Sequence, residues 1–136
     1  MSQLNLKIVT PDSEIFNETV DAVNAFTEQG EIGILPNHIN LMTKLTPGEL
    51  KIKKGNKLTY MATGDGFLQV SDNTVTIMTD MAVDEDLINE KAVEEAKKRA
   101  QQALEQKLSD EEYAQTLSVL EKSLAQLKVK RRHRVR

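Results

Sequence analysis

Gly30-Glu31-Ile32-Gly33-Ile34-Leu35-Pro36-Asn37-His38-Ile39-Asn40-Leu41 mixes chemistry that few local structures accommodate. Gly30 and Gly33 permit backbone angles or close approaches that a β-carbon would block. Ile32, Ile34 and Leu35 favour burial. Pro36 removes a donor and pushes Leu35 toward an extended conformation, and Asn37 tolerates a left-handed turn position. The stretch reads as a strand, a sharp corner and a second short extended piece. A two-layer β domain needs such a corner to pass the chain from one layer to the other.

Upstream, Leu4, Leu6 and Ile8 alternate with Asn5 and Lys7, the period of a half-buried strand. Pro11-Asp12-Ser13 is turn chemistry. Further strands are expected at Ile15 to Val20 and Val23 to Thr27. Downstream they are expected at Leu41 to Leu45, around Leu50 and Ile52, at Leu58 to Ala62, Phe67 to Val70 and Val75 to Thr79. Thr46-Pro47-Gly48, Lys54-Gly55-Asn56 and Ser71-Asp72-Asn73 mark turns between them. Leu50 and Ile52 point inward where Lys51 and Lys53 point out. About ten short strands with frequent turn signals predict an all-β sandwich or flattened barrel over residues 1–83.

Composition changes at Asp84. Gly and Pro vanish, and Ala, Glu, Lys, Gln and Leu dominate. Asp84-Glu85-Asp86 puts negative charge where a helix start is expected. Ile88, Ala92, Ala96, Ala100, Ala103 and Leu104 form a narrow stripe at helical spacing. Ser109, with Glu112 three positions on, is a capping-box signature for a second helix. Tyr113, Leu117, Leu120, Leu124 and Leu127 follow at steps of four and three. Residues 84–136 therefore read as an antiparallel two-helix hairpin, and the fold class is α+β, strands first. Its apolar seam is narrow, so either the pair stays docked or a partner with an apolar groove competes for the second helix. The run Lys128-Val129-Lys130-Arg131-Arg132-His133-Arg134-Val135-Arg136 is basic with no acid, which suits a helix carboxyl end or a solvated terminus.

The totals narrow function. The 136 residues carry a net charge of −3, which does not suggest a general nucleic-acid binder. With no cysteine there is no disulfide framework or cysteine zinc site, and His38 and His133 are too far apart in sequence to suggest a metal centre. No apolar run approaches the roughly 20 residues a membrane span requires. The start, Met1 to Lys7, lacks a signal peptide's apolar core, so the chain is expected to reach a membrane surface only through partners. Gly64-Asp65-Gly66 lacks the lysine and helix start of a phosphate loop and reads as a turn or bulge. His38 has no nucleophile or paired carboxylate nearby in sequence, so it reads as a loop or interface residue.

The opening stretch also carries a family resemblance. It is similar to the Gly-Glu-(apolar)-Gly-(Ile/Val)-Leu-Pro-(Gly/Asn)-His segment of the epsilon subunit of the rotary F-type ATP synthase. Gly64-Asp65-Gly66-Phe67-Leu68-Gln69-Val70 resembles that family's Gly-Gly-Phe-x-x-Val strand, and Val9-Thr10-Pro11 is a third match, in the same order and spacing. Asn40 stands where many members have proline, and Asp65 where many have glycine.

The resemblance implies a non-catalytic subunit of the central stalk that couples ion-driven rotation to ATP synthesis. It implies gamma as a partner, the c-subunit ring as a second, and the catalytic alpha/beta head as a third when the hairpin extends. On that footing Glu28, Gln29, Gly30 and Glu31 would face the c ring, and His38, Ile39, Asn40 and Leu41 would lie near gamma. The hairpin would restrain ATP hydrolysis, with Lys122, Lys128, Lys130, Arg131, Arg132 and Arg134 meeting acidic segments of the head. Some members bind ATP through an aliphatic-Asp-x-x-Arg-Ala motif. Here Ile88-Asn89-Glu90-Lys91-Ala92-Val93 lacks both the acid and the arginine, so no cofactor is expected, although Arg99 stands where some binders carry arginine. The implied location is the cytoplasmic face of a bacterial plasma membrane, or the stromal face of a plastid thylakoid. The competing reading is a module that binds nucleic acid or an acidic protein through the basic tail.

Overall fold

A computed structural model describes residues 3–132. Ten strands come first: β1 (Leu4–Val9), β2 (Glu14–Val20), β3 (Ala22–Thr27), β4 (Gly30–Ile34), β5 (Leu41–Leu45), β6 (Gly48–Lys54), β7 (Lys57–Thr63), β8 (Gly66–Ser71), β9 (Thr74–Thr79) and β10 (Ala82–Asp84). A short 3₁₀ turn, Glu85–Leu87, leads to helices α1 (Glu90–Leu104) and α2 (Asp110–Arg132). The expected sandwich and helix pair are both present.

The strands follow one path, β10-β7-β6-β3-β5-β8-β9-β1-β2, with β4 paired to β3. The path changes layer between β3 and β5, whose only register pair is Thr27 with Leu45. At the far edge the sandwich closes on itself: Asp21 N–H donates to Lys53 O at 2.8 Å, and Lys54 Nζ pairs with Glu18 at 2.6 Å. Alternation decides what is inside. Leu4, Leu6 and Ile8 of β1, Leu50 and Ile52 of β6, Leu68 and Val70 of β8, and Val75 and Ile77 of β9 form one buried cluster. Gly66 is required by a close approach, because a β-carbon there would collide with the Met78 carbonyl on β9. Gly64-Asp65-Gly66 is thus a tight strand connection, held by Gly64 N–H to Met81 O at 2.9 Å, and no helix follows it.

Three expectations need correction. Asp84-Glu85-Asp86 does not open the first helix. Asp84 ends β10 and caps the 3₁₀ turn by accepting from Asp86 N–H at 3.0 Å, whereas α1 starts later, capped by Asn89, which accepts from Ala92 N–H at 3.0 Å. The buried stripe also differs from the expected one. Ala92 is exposed, and Val93 takes its place beside Ala96, Ala100, Ala103 and Leu104. On α2, Tyr113 and Leu124 are 48% and 45% exposed, so the leucine seam is only partly used. The capping box is present as expected: Ser109 N–H donates to Glu112 Oε1, and Glu112 N–H donates to Ser109 Oγ, both at 3.1 Å.

The second helix is buried on two sides, which a single-stripe reading cannot capture. At about 100° per residue, Ser123 and Leu127 lie on one side and Ala125 and Val129 nearly opposite. Arg131, on the Leu127 side, reaches α1; Val129 joins Ala62 and Ile88 in a small separate apolar cluster flanked by Tyr60, Met81, Val83 and Val93.

Candidate interaction surfaces

Hydrogen bonding along β3 and β4 puts the two loop candidates at opposite ends of the sandwich. Register pairs run from Thr27 with Gly30 to Val23 with Ile34. Five residues of strand separate the ends by roughly 15 Å. At one end, Glu28 and Gln29 form the tip of the β3–β4 hairpin, and Glu28 to Glu31 are all exposed. The turn is set by Gly30 at φ +107° and by Thr27, whose hydroxyl donates to Gly30 O at 2.8 Å and accepts from Gln29 N–H.

The other end holds the corner. His38 N–H donates to Leu35 O at 3.2 Å across Pro36 and Asn37, and Asn37 has φ +68°, the arrangement of a type II turn. His38 Nδ1 lies 2.6 Å from the Ile39 carbonyl. A carbonyl only accepts, so the proton of that bond is on Nδ1. Leu35 and Ile39 flank the turn at 64% and 79% exposure.

An apolar strip extends from this corner over the outer layer. Met42, Phe67 and Met78 are exposed large side chains on β5, β8 and β9. Phe67 sits directly opposite Met78, Met78 pairs in register with Val9 on β1, and Met42 lies diagonally from Phe67. Alternation that locates the inward face does not by itself reveal this strip. The available signal was that Met42, Phe67 and Met78 are apolar at positions where the same alternation demands polar residues.

The third candidate set is the cations of α2, which the helix distributes around its circumference rather than on one face, each described one meeting a different partner. Lys122 Nζ pairs with Asp80 at 2.9 Å. Lys128 Nζ lies 5.5 Å from the Phe26 ring centroid, a cation–π distance. Lys130 Nζ donates to the Glu85 carbonyl at 3.2 Å. Arg131 spans Glu90 at 3.0 Å and Glu94 at 2.8 Å on α1. Arg132 pairs at 3.0 Å with Glu49, a β6 carboxylate that is almost fully buried. Arg134 lies outside the described residues. Hydrogen bonds to Glu90 and then Glu94 push the Arg131 pKa up. Arg131 and then Lys97 hold Glu94 below the ordinary glutamate value. Glu112 is lowered by the Ser109 backbone and then its hydroxyl.

At the start of α1, the residue in the acid position of the nucleotide motif, Asn89, is engaged in capping, and Ala92 stands in the arginine position. The neighbouring hollow is lined by Glu90, Lys91, Glu94, Glu95, Lys98 and Arg131, and its arginine is already paired with Glu90 and Glu94. Among the described residues, no group of three or more His, Asp and Glu side chains is placed to hold a metal. Among the same residues, no helix is long and apolar enough to cross a membrane.

The chain is a β-sandwich that carries a docked two-helix hairpin, with exposed loops at both ends, and two family models divide it in the same way. Residues 3–85 match the family model for the ATP synthase delta/epsilon chain β-sandwich domain, and residues 86–131 match that for its long α-helix domain. The chain belongs to the ATP synthase delta/epsilon family, on its F-type epsilon branch. It is 38% identical over 134 residues to the ATP synthase epsilon chain of Herpetosiphon aurantiacus, covering 98% of each chain. Against the epsilon chain of Nitratidesulfovibrio vulgaris the identity is 36% over 127 residues, covering 93% and 95%. A solved chain from the Euglena gracilis mitochondrial ATP synthase, in a structure of OSCP, F1 and the c ring, superposes with a TM-score of 0.74 at 29% identity, covering 89% of this chain and 77% of that one.

Proposed function

We propose that this chain is a non-catalytic rotor subunit that sits with gamma on the c ring, couples ion-driven rotation to ATP synthesis, and restrains ATP hydrolysis through its helices. The observation that carries the reading is the state of the α2 cations. Lys122, Lys128, Lys130, Arg131 and Arg132 all have partners within the chain. Lys122, Lys128, Lys130 and Arg132, held by the sandwich and the 3₁₀ turn, become available to acidic segments of an alpha/beta head only when the hairpin leaves the sandwich, so docking and restraint exclude one another; Arg131, held by Glu90 and Glu94 on α1, is freed only if the two helices also part. The strip of Ile39, Met42, Phe67 and Met78 is the surface offered to gamma, and the Glu28–Glu31 tip at the opposite end is offered to the c ring. The solved relative sits in an assembly that contains F1 and a c ring, which supports the same placement. In a bacterial host this puts the subunit at the cytoplasmic face of the plasma membrane, held there by the complex. The capped, arginine-free start of α1 supports a subunit without a bound nucleotide.

Deleting residues 129–136 tests restraint directly: ATP hydrolysis by the assembled synthase rises, and unchanged hydrolysis in resting and activated enzyme contradicts it. Docking is tested by Phe67→Asp, which weakens the complex with gamma at least a hundredfold if the strip is the interface core. The nucleic-acid reading draws no support from cations that are already paired. It would require binding that falls steeply with salt, whereas a complex built on apolar sandwich area persists.

A further inference from the structure

We propose that Asn73, in the β8–β9 turn and 36 residues from the corner, is the positioning residue that holds the docking corner in its bound shape. The inference rests on the reading that the corner meets gamma, and goes beyond it by naming what makes the corner rigid. A five-residue turn whose apolar flanks Leu35 and Ile39 are both exposed has little packing of its own. Left to itself it would lose freedom on binding, at a cost in affinity.

The structure supplies a clasp instead. Asn37 N–H donates to Asn73 Oδ1 at 2.6 Å, and Asn73 Nδ2 donates back to Asn37 Oδ1 at 3.2 Å. This reciprocal pair uses a side-chain type that offers a donor and an acceptor and also tolerates left-handed backbone. Both residues are left-handed, Asn37 at φ +68° and Asn73 at φ +58°. A weaker bond, Asp72 N–H to Asn40 Oδ1 at 3.4 Å, ties the far side of the corner to the same turn.

The anchor is itself fixed. Asp72 and Asn73 form a two-residue hairpin loop with both φ values positive, the geometry that suits strand twist. The Asn73 carbonyl also accepts from Asn5 N–H at 2.9 Å. Position therefore passes from the sandwich through the Asn73 backbone to its amide, and from the amide to the corner.

The test measures affinity of the full chain for the gamma subunit in three variants, with thermal unfolding as a control on folding. Asn73→Gly keeps the left-handed turn and removes both amide bonds. Asn73→Asp keeps the acceptor for Asn37 N–H. Ile39→Asp disrupts the docking surface itself. The expected result is a roughly tenfold loss for Asn73→Gly, through slower association and faster release, recovery to within about threefold for Asn73→Asp on the strength of the charge-assisted bond, and a larger loss for Ile39→Asp. If Asn73→Gly binds like the wild type while Ile39→Asp does not, the clasp has no positioning role and the docking reading stands. Equal weakness of Asn73→Gly and Asn73→Asp also overturns the proposal, because the retained bond should rescue. If all three variants bind like the wild type, the docking reading itself fails.

Discussion

The sandwich and the hairpin are held by different physics. Fifteen buried apolar residues form a single cluster between the β layers, whereas three (Ala62, Ile88 and Val129) join the helices to the sandwich. The difference sets how each region comes apart. Burial of a large aliphatic side chain stabilises by about 1.5–3 kcal/mol before ordering entropy is subtracted, so the first cluster commits the sandwich to cooperative unfolding. The second leaves the hairpin's hold on the sandwich dependent also on Arg132 and Lys122, whose ion pairs are partly exposed and individually weak. The proposed function, a rigid shaft fitting with a releasable arm, would need this asymmetry.

The sharpest way to break the comparison is from the strong side. Leu68→Ala, at a fully buried position in the middle of β8, should destabilise the sandwich by about 2–5 kcal/mol. The hairpin should lose its docking surface in the same transition, measured as one denaturant midpoint for strand and helix signals.

From the weak side, Val129→Asp puts a charge into the small cluster against Ala62 and Ile88. The expected outcome is a released hairpin on an intact sandwich: NMR shifts at Ala62, Tyr60 and Val83 move toward solvent-exposed values, and those of Leu6, Leu68 and Ile77 do not. A change spread through both clusters would show the two regions to be one unit.

Arg132→Ala asks for less. Arg132 is about half exposed, which screens the pair, but Glu49 is left buried with one partner fewer. A loss of about 1–2 kcal/mol in docking is expected, below the full cost of breaking a buried pair, read as earlier protease cleavage between Asp84 and Glu90.

The smallest effect is with pH. Glu94 and Glu112 have folded-state values below their ordinary one. Their contribution is therefore present above the unfolded value, about 4.3, and is lost as pH falls below that toward the depressed values. Arg131 is raised and stays charged throughout that window. Helical circular dichroism should decline through this range before the sandwich's near-ultraviolet signal does.

Much of this asymmetry is legible in the residues. Strict alternation at Leu4-Asn5-Leu6-Lys7-Ile8 and at Leu50-Lys51-Ile52-Lys53 gives the strands, because one face meets a core and the other meets water. Pro36-Asn37 gives the corner, since few backbones suit that pair. Ser109 and Glu112 give the start of α2. What was not legible depends on tertiary context. Ala82-Val83-Asp84 is too short to show a period and becomes a strand only because β7 offers an edge. Val93 rather than Ala92 packs inward because Ala62, Ile88 and Val129 form a small cluster on that side. The partners of the α2 cations lie far away in sequence, from Phe26 to Glu94, so the tail's charge was visible and its docked pairing was not. For the same reason Asn73 gave no sign of its tie to Asn37.

Native-state hydrogen exchange on the free chain measures the central claim most directly. Amides of α1 and α2 should exchange through an opening that costs several kcal/mol less than the one exposing β1, β6, β8 and β9, and that opening should be nearly insensitive to denaturant because little surface is uncovered. Helix and strand amides converging on one opening free energy, with one denaturant slope, would contradict it.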